Sequence, residues 1–128
     1  MEKKNDIGLL KLKVITLNCW GIPWSIPHIS SPDREARFQA IAEFLVSKDY
    51  DLVFLQEVWH EPDYVKLKKT LAKILPHSFY FKTGWLTSGT CIFSVNPIER
   101  TFNFTFTLNG FPYQVIFIVT KLTRRIES

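Results

Sequence analysis

Beyond Asp63 the chain has no aspartate, and beyond His77 it has no histidine. Any chemistry built on those two residue types is therefore confined to the first 77 of 128 residues. Long apolar runs are missing as well. The longest, Val115 to Val119, is far short of the roughly 18 to 20 residues needed to cross a bilayer. Near the N-terminus Lys11 and Lys13 interrupt the apolar stretch Ile7 to Leu12, so no signal peptide is expected. Two cysteines, Cys19 and Cys91, are too few for a disulfide framework. Each sits among apolar residues, which predicts reduced, buried thiols in an intracellular protein.

What is present is enough for one globular core: 128 residues, 46% hydrophobic and 15% aromatic. The net charge of +4 conceals an asymmetry. Residues 1–64 carry 7 Lys/Arg against 10 Asp/Glu, a balance of −3, whereas residues 65–128 carry 9 against 2, a balance of +7. A basic half can face an anionic partner such as nucleic acid or a lipid surface. The simpler reading is a solvated helix face, since Lys66, Lys68, Lys69 and Lys73 fall on one predicted helix.

The pattern alternates along the chain. Lys11 to Trp20 reads as a strand, with Leu12 and Val14 on one face and Ile15 and Leu17 on the other. A Pro/Ser/Gly-rich loop spans Gly21 to Ser31. Ser31 is the expected N-cap of the next helix, with Pro32 in its first turn and Asp33 and Glu35 near its positive end. The stripe Phe38, Ile41, Ala42, Phe44 and Leu45 forms that helix's apolar side. Asp51 to Val58 is a second strand, apolar throughout its first half, as expected of a central parallel strand covered on both faces. A second helix is expected over about Asp63 to Leu75 with Tyr64, Leu67, Leu71 and Ile74 inward, ended by Pro76.

After Pro76 the period changes to that of strands. Ser78 to Trp85 and Thr90 to Val95 flank a Gly84–Gly89 turn. Thr101 to Leu108 places Phe102, Phe104, Phe106 and Leu108 on one face. Asn109-Gly110 is a hairpin signal, with Tyr113 to Leu122 returning. The result is an α/β chain, β-α-β-α and then strands, with a mixed sheet flanked by two helices.

One stretch, Leu52-Val53-Phe54-Leu55-Gln56-Glu57-Val58-Trp59, sets a carboxylate among residues that gain most from burial. Open α/β sheets gather ligands beyond the carboxyl ends of parallel strands. Two strands here end in oxygen-bearing residues beside a tryptophan: Asn18 before Trp20, and Glu57 before Trp59. If the strands are neighbours, Asn18 and Glu57 share one edge, and an oxygen-ligated cation such as Mg²⁺ compensates the charge. The alternative is a Glu57 past the strand end, solvated or paired with a lysine.

Five stretches occur in one order: Asn18-Cys19-Trp20-Gly21-Ile22-Pro23, Arg34-Glu35-Ala36-Arg37-Phe38, Tyr50 to Trp59, Ser88-Gly89-Thr90-Cys91-Ile92-Phe93-Ser94, and Thr107-Leu108-Asn109-Gly110-Phe111-Pro112-Tyr113. Together they resemble the amino-terminal part of a neutral sphingomyelinase, in the endonuclease/exonuclease/phosphatase (DNase I-like) superfamily. The resemblance covers about Leu12 to Tyr113, leaving 114–128 as a divergent tail on a single incomplete domain. It implies the amino-terminal half of a four-layer α/β sandwich and Mg²⁺-dependent cleavage of sphingomyelin to ceramide and phosphocholine at a membrane surface. Glu57 matches the family's Mg²⁺-binding glutamate, and Asn18 a metal- or phosphate-side contact. Trp20 and Trp59 are candidate contacts for the choline headgroup through cation–π attraction.

The family's catalytic histidine and aspartate motifs, a Gly-Asp-x-Asn strand end and a terminal Ser-Asp-His, have no counterpart here. No base is assigned. His28 and His60 are read as surface residues and His77 as structural. The expectation is a truncated form, inactive alone, with an apolar sheet face open to self-association. The alternatives are a non-catalytic lipid- or protein-binding fragment and another phosphodiesterase or nuclease of the superfamily. A nucleic-acid partner is not expected.

Overall fold

A computed structural model describes the backbone of residues 11–22, 32–83, 86–108 and 111–120, and the side chains of 11–22, 32–82 and 89–102. The elements run β1 (Val14–Asn18), α1 (Arg34–Ser47), β2 (Leu52–Gln56), α2 (Glu61–Leu71), β3 (His77–Thr83), β4 (Leu86–Ser94), β5 (Ile98–Leu108) and β6 (Phe111–Thr120). Four strands form a sheet in the order β1-β2-β4-β3, and β5 and β6 form a second sheet. β1 and β2 are parallel, with Asn18 opposite Gln56. β4 runs antiparallel to both β2 and β3. The sheet is thus mixed, as the change of sequence period implies.

Alternation along β2 explains its run of apolar residues. Val53 and Leu55 enter the larger core with Phe38, Ala42 and Leu45 of α1 and Tyr64, Leu67 and Leu71 of α2. Leu52 and Phe54 face the other way, joining Phe81, Ile92 and Ile98 in a second cluster. Ile98 opens β5, so the second sheet begins against this face. Tyr64 and Tyr80 stack with ring centroids 4.7 Å apart, fastening α2 to β3. Such offset pairs add to area burial by about 0.5–1.5 kcal/mol.

Several expected boundaries move. The N-cap of α1 is Asp33, at φ 53° and with no side-chain cap bond, and helix begins at Arg34, so Pro32 precedes the first turn. Ser31 lies outside the described residues. α2 starts at Glu61, with Pro62 in its first turn. Phe44 is exposed rather than part of the inward stripe. It lies against Tyr50 and the Lys48 ammonium, at 6.3 and 5.7 Å. Gly89 is inside β4 and not in a turn, because that strand starts at Leu86. Residues 84–85, 109–110 and His28 lie outside the described residues, but Leu108 pairs with Phe111, as a two-residue hairpin connection requires.

Among the described residues, no helix is long and apolar enough to cross a membrane. Both cysteines are free and buried.

Candidate metal centre at the ends of two parallel strands

β1 and β2 end side by side, and the chain beyond each strand continues the contact. Cys19 N–H donates to Gln56 O at 2.8 Å, and Gly21 N–H donates to Glu57 O at 2.7 Å. On the other flank Val58 N–H donates to Gly89 O at 2.7 Å, and the buried Tyr80 hydroxyl donates to Val58 O at 2.6 Å. Glu57 is therefore held between a β1 extension and β4 by backbone bonds on both sides. This satisfies main-chain groups that would otherwise be orphaned at a strand end.

Glu57 sits at φ 58° and Trp20 at φ 47°, both in the left-handed region. Residues with a Cβ avoid it, at a cost of about 1–2 kcal/mol each. Backbone outliers of this kind concentrate where function over-determines the geometry. Both outliers lie at the edge where the sequence places its oxygen donors.

Asn18 is exposed at the tip of β1, and Glu57 is half-buried one step beyond β2. The Asn18 Oδ1 accepts the Trp20 N–H at 2.9 Å, a local turn that fixes the carboxamide. One lone pair of that oxygen is used, and the second is left for a ligand. Beneath them the Cys19 thiol is pushed up to about 12 from an ordinary 9.0, mainly by burial, partly offset by the Arg37 guanidinium and reinforced by the Glu57 carboxylate. Cys19 is thus a neutral neighbour and not a thiolate donor.

The tryptophans are spoken for in part. The Trp20 ring carries the Arg37 guanidinium at 5.0 Å from its centroid. The Trp59 ring packs on Gly89, where a Cβ would meet Trp59 carbons at 3.0–3.3 Å. His60 is the N-cap of α2 and its carbonyl accepts the Asp63 N–H at 2.9 Å. His77 pairs with Ser94 in register, at the edge of the sheet opposite Glu57.

As a cation site the donor set is one carboxylate and one amide oxygen. Among the described residues no group of three or more His, Cys, Asp or Glu could hold a metal. A carboxylate and an amide oxygen are hard oxygen donors of the kind divalent cations such as Mg²⁺ take, with waters filling the remaining positions.

Three residues that shape this edge carry no sequence-level role: Arg37, Gly21 and Tyr80. Arg37 falls within a motif that carries the family resemblance. Its function is only visible once its three acceptor carbonyls are placed, and no side-chain spacing signals them. Gly21 gives the same difficulty, since a strand-end glycine reads as an ordinary turn.

The sequence profile of the endonuclease/exonuclease/phosphatase family matches residues 15–126. Sphingomyelin phosphodiesterase 2 of Mus musculus is 39% identical over 104 residues, covering 81% of this chain and 24% of its own length. Inositol phosphosphingolipids phospholipase C of Schizosaccharomyces pombe is 33% identical over 80% of this chain and 23% of its own. The chain thus spans about a quarter of the length of the curated relatives it matches. Sphingomyelinase C of Streptomyces griseocarneus superposes with a TM-score of 0.58 at 20% identity, over 82% of this chain and 47% of that one. A Staphylococcus aureus beta toxin variant with bound magnesium ions gives 0.60 at 17% identity, over 84% and 48%. The fold is that of these DNase I-like enzymes, and by its matching sequence the chain belongs to the endonuclease/exonuclease/phosphatase family.

Proposed function

We propose that this chain is the metal-carrying, amino-terminal portion of a Mg²⁺-dependent sphingolipid phosphodiesterase, acting on sphingomyelin or a related phosphosphingolipid at a membrane surface. The observation that supports it best is the paired strand ends. Glu57, half-buried and in a left-handed backbone conformation, follows Gln56, the register partner of Asn18, whose carboxamide is fixed by its own turn. Glu57 holds the ion directly, and Asn18 contacts it or a phosphate oxygen. When bound, Mg²⁺ supplies a Lewis acid that neutralises charge developing on a phosphoryl group. The chain's own contribution is to fix the glutamate's backbone between the β1 extension and β4. The exposed Trp20 ring, which already carries the Arg37 guanidinium, is a surface of the kind that takes a quaternary ammonium headgroup. Buried, reduced thiols fit an intracellular setting.

The family's histidine and aspartate motifs have no counterpart after His77 and Asp63, so no general base is assigned within the 128 residues. On this reading the base is supplied by residues outside these 128. Calorimetric titration of Mn²⁺ or Mg²⁺ into the chain tests the proposal. Binding that falls at least about tenfold in Glu57→Gln is expected, in line with the loss of a charged ligand. Absence of binding in the wild type, or equal binding by the variant, removes it.

A second reading rests on a different observation. Val14 and Phe79 are 49% and 41% exposed on the sheet face opposite the helices, and Phe102 of β5 is 57% exposed. Contiguous exposed apolar patches mark partner surfaces. Self-association through this surface is expected in sedimentation, and a monomer at all concentrations counts against it. Phe104 and Phe106, expected on the same surface, fall outside the described side chains.

A further inference from the structure

We propose that Arg37 is a positioning residue that clamps both ends of the loop between β1 and α1 and thereby sets Asn18 against Glu57. The functional consequence rests on the metal reading above, but the clamp itself rests on geometry. Arg37 Nη1 donates to Cys19 O at 2.8 Å and Nη2 to Trp20 O at 2.9 Å, while Nε donates to Pro32 O at 3.1 Å. The first two carbonyls directly follow β1 and the third precedes α1. One guanidinium thus ties the chain together on both sides of residues 23–31. The Trp20 ring lies over the same group at 5.0 Å.

The clamp reaches the site through two further bonds. Trp20 is strained at φ 47°, and its carbonyl and ring are the two parts Arg37 holds. With Trp20 fixed, its N–H meets Asn18 Oδ1 at 2.9 Å and orients the carboxamide. The next residue, Gly21, is then placed to donate to Glu57 O at 2.7 Å, which holds the glutamate backbone in its own left-handed conformation. The Cys19–Gln56 and Gly21–Glu57 bonds hold this segment from the β2 side, and Arg37 holds its Cys19 and Trp20 carbonyls from the α1 side, so loss of the clamp loosens the donor residues' common reference.

Only arginine suits this role. Its planar fork presents five donors in fixed directions, so three separate carbonyls are met by one rigid group. A lysine keeps the charge and reaches one carbonyl at a time. The residue does not contact the proposed ion, so its effect would be indirect. Supporting groups of this type change metal affinity by about 10- to 100-fold.

Amide hydrogen exchange by NMR and Mn²⁺ titration on Arg37→Lys and Arg37→Ala, in the full 128-residue chain, test the proposal. The Trp20 and Gly21 amides are expected to exchange at least about tenfold faster in both variants, with the Val53 and Leu55 amides unchanged and Mn²⁺ affinity reduced about tenfold. Should Arg37→Ala not fold, Arg37→Lys carries both arms. Unchanged exchange at Trp20 and Gly21, or a lysine that restores wild-type exchange and affinity, overturns the clamp. Faster exchange with wild-type Mn²⁺ affinity overturns its positioning role. A wild type that binds no Mn²⁺ refutes the metal reading of Glu57, and the exchange arm alone then decides the clamp.

Discussion

Gly21 and Glu57, far apart in sequence, meet backbone to backbone: Gly21 N–H donates to Glu57 O at 2.7 Å. A Cβ on Gly21 would lie 2.5 Å from that oxygen and 2.8 Å from the Phe38 ring. The ends of the two parallel strands approach so closely that only a hydrogen fits between them. This contact, more than the strand pairing below it, fixes where the glutamate begins.

Gly21→Ala is therefore expected to destabilise the chain by about 1–3 kcal/mol, the range for overpacking a fitted site. The obstructing oxygen belongs to the main chain and cannot rotate away, so the strand ends must part. Urea denaturation checks the energy. Loss of divalent-ion binding in the same variant checks that the parting reaches Glu57. An unchanged midpoint would mean that the two strand ends separate freely.

The helices present a second close pairing, between Arg34 at the start of α1 and Asp63 in the first turn of α2. Arg34 Nε lies 3.5 Å from Asp63 Oδ2, with the two side chains 19% and 5% exposed. Arg34 Nη1 and Asp63 Oδ2 have no hydrogen-bond partner among the described residues. A charge pair so far from water, and so loosely matched, costs more desolvation than an ideal pair recovers. Asp63→Leu alone is expected to lose about 1–3 kcal/mol by leaving the partly buried Arg34 guanidinium without its carboxylate. The double variant Arg34→Met/Asp63→Leu should recover most of that loss. Strict additivity of the single variants in denaturant unfolding would show that the two charges do not depend on each other.

Much of this architecture is legible from residue order, and the reasons differ by element. β2 is readable because Leu52 to Leu55 alternate between two cores, which only a central strand does. Glu57 stands out there because a charge in such a run has to be explained. The start of α1 is not legible, since Asp33 caps it through a left-handed backbone and offers no side-chain bond. Capping preferences read side chains, and here the side chain is idle. Gly89 is misassigned to a turn for a related reason. A glycine at φ 67° inside a strand serves the Trp59 ring packed on it, and a tertiary contact leaves no local pattern. The Arg37 clamp is the extreme case, because its acceptors are main-chain oxygens that every sequence possesses.

The two buried thiols give the chain a pH limit on the alkaline side. Cys19 is pushed up to about 12 from 9.0 chiefly by burial, and burial moves Cys91 in the same direction. In the folded state both keep their protons where the unfolded chain loses them. The Cys19 contribution is whole below about pH 9 and declines between about pH 9 and pH 12, at up to about 1.4 kcal/mol per pH unit, and the Cys91 contribution falls in the same direction. Lysine and tyrosine ionisation contribute a background that Cys19→Ala leaves in place, so the comparison isolates the thiol. Denaturant unfolding at about pH 8 and about pH 10.5 should show the wild type losing more stability than Cys19→Ala over that interval. Equal losses would mean that Cys19 ionises in the folded chain as readily as in the unfolded one. A thiol reagent gives the same answer by another route, since only the thiolate attacks it. Both cysteines should stay silent at neutral pH until the chain unfolds, because burial keeps them protonated and covered.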